Sequence, residues 1–535
     1  MKFQKRNSKF QLQNRVGFWN LKNWNLSKVV SLHQNLNKMS KQVRVRFAPS
    51  PTGALHIGGV RTALFNYLFA KKNNGVFYLR VEDTDQTRFV PGAEAYIMEA
   101  LEWLGIAPDE TVGKNEKFGP YRQSERKDIY KEYANQLINS GWAYYAFDTP
   151  ETLSTLRKEQ EAEKKTFIYN HTIREKLDTS LVISAEEVAK RIANGEHYVI
   201  RFKTPVGETL HLKDIIRGDV KFETSLLDDK VLFKSDGMPT YHLANIVDDH
   251  LMETSHVIRG EEWLPSMPLH ILLYRAFGWE APEFAHLPLI LKPDGKGKLS
   301  KRDGEIGGFP VFPLDWKELK GFKGEGYLPE ALINFLSQIG WNDGTDKELF
   351  SLDELIASFD LNRVHKAGAR FDIEKAKWFN HQYLIKQNDA DLAKDFTPIL
   401  VEKGVDISKY DVTRIVSLIK ERAHFVSEFW DLTDFFFQAP TSYDEKASKN
   451  WKEETPALMQ ELISTLEYID GFDSANIEAI VKDWLTKNEI GMGKVMQPFR
   501  LSLVGALKGP HLFDIVEIIG KEETISRIQK AIAIF

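Results

Sequence analysis

Residues 44 to 59 read Arg44-Val45-Arg46-Phe47-Ala48-Pro49-Ser50-Pro51-Thr52-Gly53-Ala54-Leu55-His56-Ile57-Gly58-Gly59. The alternation of Val43, Val45 and Phe47 predicts a strand, and two prolines and a glycine then impose a loop. From His56 onward the apolar positions Leu55, Val60, Ala63, Leu64, Tyr67 and Leu68 follow a helical spacing. A strand, a Gly/Pro turn and a helix start form an anion site, because free backbone N–H groups and the positive end of the helix dipole face whatever the loop holds. Glycine at 58 and 59 lets a bulky ligand approach the backbone. On spacing alone an ordinary strand-to-helix turn competes with a phosphate-binding one.

The rest of the chain narrows the choice. Its 535 residues suffice for three to five modules, and 42% hydrophobic with 27% charged residues is a globular composition. No apolar run approaches the roughly 20 residues of a membrane span. The absence of cysteine excludes disulfides, iron–sulfur clusters, thiol catalysis and Cys-ligated zinc, and fits a reducing compartment. Residues 1–42 hold nine lysines and arginines and no acid, so against a formal net charge of −5 the remainder carries −14. RNA binding would therefore rely on local basic patches. This basic leader has three readings: a mitochondrial presequence, a disordered Asn/Gln-rich tail, or residues upstream of a natural start at Met39-Ser40-Lys41. The last is preferred here, with a cytoplasmic protein as its consequence and a mitochondrial matrix location as the alternative.

Along the chain, a second strand over Val76 to Glu82 runs into Glu82-Asp83-Thr84-Asp85, and helices are predicted near 92–104 and 124–140. This βαβα order predicts a parallel sheet with ligands beyond the carboxyl ends of its strands, which places Glu82 and Asp85 beside the His56 loop. Short strands (198–202, 220–222) and a charged helix at 151–165 mark an inserted module. The first pattern restarts at Val231, with a helix over Tyr241 to His250, a strand at His256 to Arg259, a helix at 262–277 and a strand at Leu287 to Leu291. A Gly/Lys-rich loop fills 292–304. Beyond 326 strand signals vanish, and helical spacing recurs at 328–339, 352–359, 374–387, 411–431, 453–469, 474–488 and 522–533. The expected division is 1–42 leader, 43–120 first half of a parallel-sheet domain, 121–229 inserted module, 230–325 second half of that domain, and two helical regions, 326–386 and 387–535.

Two weak motifs become strong in combination. His56-Ile57-Gly58-Gly59 resembles the HIGH-type signature of class I aminoacyl-tRNA synthetases, and Lys298-Leu299-Ser300-Lys301-Arg302 resembles their KMSKS signature. With Arg46 to Gly53, Val81 to Asp85, Gly119 to Arg126, Ser235 to His250 and Ile258-Arg259-Gly260-Glu261-Glu262-Trp263, the chain from about 43 to 535 resembles the bacterial-type glutamyl-tRNA synthetase family. The resemblance implies an α/β fold: a Rossmann-like parallel-sheet catalytic domain split by an inserted α+β module, then an all-α anticodon-binding region.

It also implies residue roles. Arg46 and Arg259 would bind the substrate's side-chain carboxylate, and Glu82 its amino group, with Ala48, Ser50, Tyr241 and Asn245 lining the pocket. His56 and Lys301 would be catalytic, and Gly58, Gly59, Glu262, Trp263, Leu299, Ser300 and Arg302 would join them around ATP. Arg414 and Arg422 match anticodon-reading positions, the arginine at 422 resembling the form that discriminates glutamate from glutamine anticodons. The implied partners are ATP with its Mg2+, glutamate and the tRNA for glutamate, bound by a monomer that does not engage a membrane. No other metal is expected, because Ala143-Tyr144-Tyr145-Ala146-Phe147-Asp148 has no thiol where many family members ligate zinc. A Gly-rich segment from Asp303 to Val311 lengthens the loop after Lys301. Rival readings are a glutaminyl enzyme, whose β-barrel anticodon end conflicts with the helices after 326; a shortened paralogue that modifies a tRNA base, which lacks an anticodon module; and a non-catalytic tRNA-binding relative, which would be expected to have lost His56 or Lys301.

Overall fold

A computed structural model describes residues 42–535; the leader readings fall on residues outside that range, apart from Gln42. The strand Arg44–Phe47 pairs in parallel with Val76–Leu79, Arg44 opposite Val76. On its other side the Ser255 N–H donates to the Arg44 carbonyl at 2.9 Å, which brings in the strand His256–Gly260. That strand runs parallel to Glu283–Leu287. The sheet is extended by Thr209–Asp214, parallel to Glu283–Leu287 through Asp214 and Phe284, and by Gly218–Glu223, antiparallel to Thr209–Asp214. The last two strands come from residues 121–229, the segment expected to be an insertion, and form a hairpin added to the parallel sheet. A separate antiparallel sheet forms from Ala143–Ala146, Val199–Phe202 and Val231–Phe233.

The helix Ile57–Lys72 lies on the sheet because its Ile57, Val60, Leu64 and Leu68 side chains are all fully buried, each contributing roughly 1.5–3 kcal/mol. Its outer side is covered by the first helices of the C-terminal half, with Phe65 against Phe359 at 5.1 Å. One core therefore runs from Val45 and Phe77 through Phe322, Leu332 and Trp341 to Phe379. A second core joins residues of 121–229 to those of 230–325, from Tyr130 to Phe284. The remaining helices enclose two further cores, one around Leu384, Phe396 and Phe429 and one around Met459, Leu462, Phe499 and Ile528. Among the described residues no helix is long and apolar enough to cross a membrane.

Several elements differ from expectation. The strand placed at 287–291 is two pieces, Glu283–Leu287 and Ile290–Leu291, parted at Pro288, which has no N–H to give a ladder. The second piece pairs with Ala369–Arg370, so a short strand does occur beyond 326. The helix expected at 411–431 is broken into Val412–Ile419 and Phe429–Phe437 with tight turns between them. Helices Asp389–Glu402 and Met492–Val504 were not anticipated; Pro398 and Pro498 lie inside them and interrupt the helical pattern in the sequence. The segment after Lys301 is no open loop. Lys301–Gly307 is a short helix, and Gly304 packs so tightly that a Cβ there would meet the Phe309 carbonyl and Val311 at 2.8 Å.

Candidate active site

Beyond the carboxyl ends of the parallel strands lies a cavity of about 500 Å³. Two stretches far apart in the chain wall it: the Arg46 strand and His56 helix on one side, the Tyr241 helix, the Arg259 strand and the Lys301 segment on the other.

At one end the local chemistry suits a polyphosphate. His56 caps the helix Ile57–Lys72, its Nδ1 accepting the Gly58 N–H at 3.1 Å. That bond assigns the ring proton to Nε2, which is buried and has no partner among the described residues. Burial, with Lys298 and Lys301 nearby, pulls the His56 pKa down to about 4, so at neutral pH the imidazole is an uncharged N–H donor. The helix N-terminus itself corrects the expectation of free amides. Ile57 N–H donates to the Val311 carbonyl at 2.9 Å, and Gly59 and Val60 donate to His56 O at 2.8 and 3.1 Å. Attraction for an anion there comes from the helix dipole, the His56 Nε2–H and the lysines.

Lys301 is the first residue of its short helix. Ser300 caps that helix in a capping box with Asp303, whose carboxylate accepts from Ser300 N–H at 2.8 Å and Oγ at 2.5 Å. The Ser300 hydroxyl, with Lys292 at 2.9 Å, holds the half-buried Asp303 carboxyl down at about 2. The Lys301 ammonium lies 5.3 Å from the Phe312 ring centroid and 3.4 Å from where a Gly53 Cβ would stand. Lys298 pairs with Glu262 at 2.7 Å on the exposed rim.

The other end is buried and ionic. Arg46 donates from Nε and Nη2 to Asp249 at 3.0 and 3.1 Å, and Arg80 Nη1 donates to the same carboxylate at 2.8 Å. Arg80 also donates to Glu82 at 3.0 Å, where Asn245 joins at 3.2 Å. Burial raises the Glu82 pKa despite Arg80 and Arg46. In contrast Asp249 is held below the usual carboxylate range, the two arginines outweighing its burial. Behind them Asp248 accepts from Arg126, Gln123 and Tyr130 at 2.7–2.8 Å, and Asp83 accepts from the Ser124 backbone and hydroxyl. The 119–126 motif thus reaches the site through Asp248, which pairs with Arg80 at 3.7 Å, and through Asp83, the chain neighbour of Glu82. Across the cavity Arg259 donates to Tyr241 OH at 3.0 Å and to the Trp263 carbonyl at 3.2 Å, and the Tyr241 and Trp263 rings pack 4.4 Å apart.

Of the sequence-predicted residues, Arg46, Ala48, His56, Gly58, Gly59, Glu82, Tyr241, Asn245, Arg259, Glu262, Trp263, Leu299, Ser300 and Lys301 border the cavity. Ser50 and Arg302 are exposed outside its wall. Asp85 also departs from expectation: it caps the turn Gln86–Arg88 and pairs with Arg88 at 2.7 Å, away from the cavity. Sequence reasoning missed Arg61 and Thr62 on the wall, and gave Lys298, the first residue of the 298–302 motif, no separate role there. Arg61 donates to the carbonyls of Ile339 and Pro288 and so ties the His56 helix to the second half; a lone arginine on a helix carries no sequence signal for such burial. In the inserted module Tyr144 and Arg174 meet Asp229 at 2.8 and 3.2 Å, and Tyr169 meets Asp148 at 2.7 Å. In the C-terminal region Arg414 is forked onto Glu517 at 2.5–2.6 Å, and Arg422 is exposed in the turn Lys420–Arg422.

Residues 42–378 match the family model for the catalytic domain of class I tRNA synthetases (E and Q), and residues 390–532 match an anticodon binding domain. The chain is 84% identical over 499 residues to the glutamate–tRNA ligase of Flavobacterium johnsoniae, covering 92% of this chain and 100% of that one. The chain belongs to the glutamate–tRNA ligase family. The ligase of Christiangramia forsetii is 61% identical over 501 residues, 92% of this chain and 99% of its own. A crystal structure of the glutamate tRNA ligase from Elizabethkingia meningosepticum, in complex with its amino acid, has a TM-score of 0.88 at 56% identity, over 92% of this chain and 99% of that chain. The class I catalytic domain followed by a helical anticodon domain, expected from the sequence, is the fold of this family.

Proposed function

We propose that this protein charges the tRNA for glutamate with L-glutamate at the expense of ATP, in the cavity between its catalytic halves. The observation that carries this reading is one cavity with a buried guanidinium and carboxylate cluster at one end (Arg46, Arg259, Glu82) and an imidazole N–H with a lysine at the other (His56, Lys301). The α-carboxylate of glutamate attacks the α-phosphorus of ATP, pyrophosphate leaves, and glutamyl-adenylate forms. The terminal ribose hydroxyl of the tRNA then takes the glutamyl group and AMP departs. No enzyme nucleophile is required. Rate comes from placement and from charge stabilisation in a partly enclosed site.

In this reading Arg46 and Arg259 face the side-chain carboxylate, Glu82 the amino group, and Tyr241 and Asn245 the walls between. His56 Nε2–H and Lys301 meet the phosphates, and Mg2+ enters on the triphosphate. The inserted module holds the acceptor end, while Arg414, on a helix, and Arg422, in the turn that follows it, face unpaired anticodon bases. Arg414 has to exchange Glu517 for RNA. The protein acts as a monomer in the cytoplasm, with tRNA bound before glutamate is activated. Charging purified tRNA with radiolabelled glutamate or glutamine tests this: ATP-dependent ester with glutamate is expected, and none with glutamate overturns it.

A further inference from the structure

The two arginines at the amino-acid end of the cavity are held by opposite chemistry. Arg46 meets a carboxylate with two of its nitrogens. Arg259, only 5% exposed, meets only uncharged acceptors among the described residues: His286 Nε2 at 3.0 Å from its Nε, Tyr241 OH at 3.0 Å and His270 Nδ1 at 3.2 Å from Nη1, and the Trp263 carbonyl at 3.2 Å from Nη2. Asp214, the carboxylate this network reaches, lies behind the His286 ring, 2.7 Å from Nδ1.

A guanidinium only donates, so the geometry fixes the ring protons. His286 Nε2 is bare and its Nδ1–H points at Asp214. His270 Nδ1 is bare, and its proton sits on Nε2, facing His242 Nδ1 at 3.2 Å. A protonated His270 would set N–H against N–H. Burial, then the charges of Arg259 and Arg46 and the His242 and His286 rings around it, holds the His270 pKa far below its ordinary value, which agrees with the geometry. His270 is fully buried on the helix Met267–Phe277, behind the cavity wall and out of reach of a substrate. A buried cation whose neighbours are neutral retains a strong demand for an anion.

We propose that His270 determines the amino-acid specificity of the pocket: it takes a hydrogen bond from Arg259 as a neutral acceptor, and so holds the guanidinium without cancelling the charge that recruits a substrate side-chain carboxylate over an amide. This rests on the reading of Arg259 as the group facing that carboxylate. His270 is a positioning residue; Arg259 makes the contact.

The test compares His270→Gln and His270→Glu, nearly identical in shape and different in charge, with Arg259→Gln as reference. The full-length enzyme is assayed by tRNA charging, reading KM for glutamate, KM for ATP and the ratio of kcat/KM for glutamate over glutamine. His270→Gln should keep the glutamate KM within about threefold, while His270→Glu raises it on the order of 10- to 100-fold, lowers the ratio in parallel and leaves the ATP KM unchanged. If Arg259→Gln raises the glutamate KM and His270→Glu behaves like His270→Gln, the role of His270 is overturned and the reading of Arg259 stands. If Arg259→Gln leaves the glutamate KM unmoved, the reading of Arg259 falls, and the proposal with it. Should His270→Glu not fold, 15N NMR of the histidine rings in the unaltered enzyme decides: His270 with its proton on Nε2 between about pH 6 and 8 is expected, and an Nδ1–H form or an imidazolium overturns the proposal.

Discussion

The two ends of the cavity are built to different standards of rigidity. Around Arg46 the structure is over-determined: Arg80, Asp248, Asp249 and Arg126 are all buried and mutually bonded, so no side chain there can move without stranding a charge. Around Lys301 the ion pairs stand at the surface, Lys298–Glu262 exposed and Lys292–Asp303 half-buried, the helix is two turns long, and the ammonium rests on an aromatic face. The contrast teaches how one cavity divides its work. Choosing between amino acids that differ by a charge requires groups fixed in advance of binding. Accepting a triphosphate and releasing pyrophosphate requires groups that can shift.

The largest effect should come from the rigid end. Asp249→Ala leaves Arg46 and Arg80 buried without their shared partner, and chemical denaturation should show a loss of about 3–5 kcal/mol; a loss below 1 kcal/mol would mean this end is not over-determined. Next, Lys301→Ala should slow adenylate formation on the order of 10²- to 10³-fold while moving the melting temperature little and tRNA affinity far less than the rate. Equal losses of rate and tRNA affinity would make that segment a binding surface. A third effect links pH to stability. His56 and His242 each titrate at about 4 in the fold because of burial, against about 6.5 unfolded. Their neutral forms are favoured by folding, so their contribution is fully present above pH 6.5 and is lost as pH falls toward 4, on the order of a few kcal/mol together. Denaturation of His242→Gln at pH 7 and pH 5 should show a shallower decline than the unaltered protein. Smallest, Glu262→Gln removes one exposed pair with Lys298 and should cost less than about 1 kcal/mol in stability.

Where the sequence was legible, local pattern and chemistry coincided. The strand, turn and helix at 44–72 could be read because alternation, Gly/Pro punctuation and helical spacing follow one another without overlap. Lys301 and His56 could be paired because both motifs are short and chemically unusual. What stayed hidden depends on distance in the chain. Asp249 looks like one more acid on a helix until the fold sets it against Arg46, 203 residues earlier. The Val311 carbonyl that takes the first helical amide of the His56 helix has no side-chain signal at all. Pro398 and Pro498 hid two helices because tertiary packing tolerates what the local rule forbids.

The central claim, that one end selects and the other end reacts, is tested most directly by measuring kcat and the glutamate KM in parallel for Arg259→Gln and Lys301→Ala. A crossed result is predicted: Arg259→Gln raises the glutamate KM by at least ~10-fold, and Lys301→Ala lowers kcat with the glutamate KM nearly unchanged. Both substitutions moving the same parameter by similar factors would contradict the division.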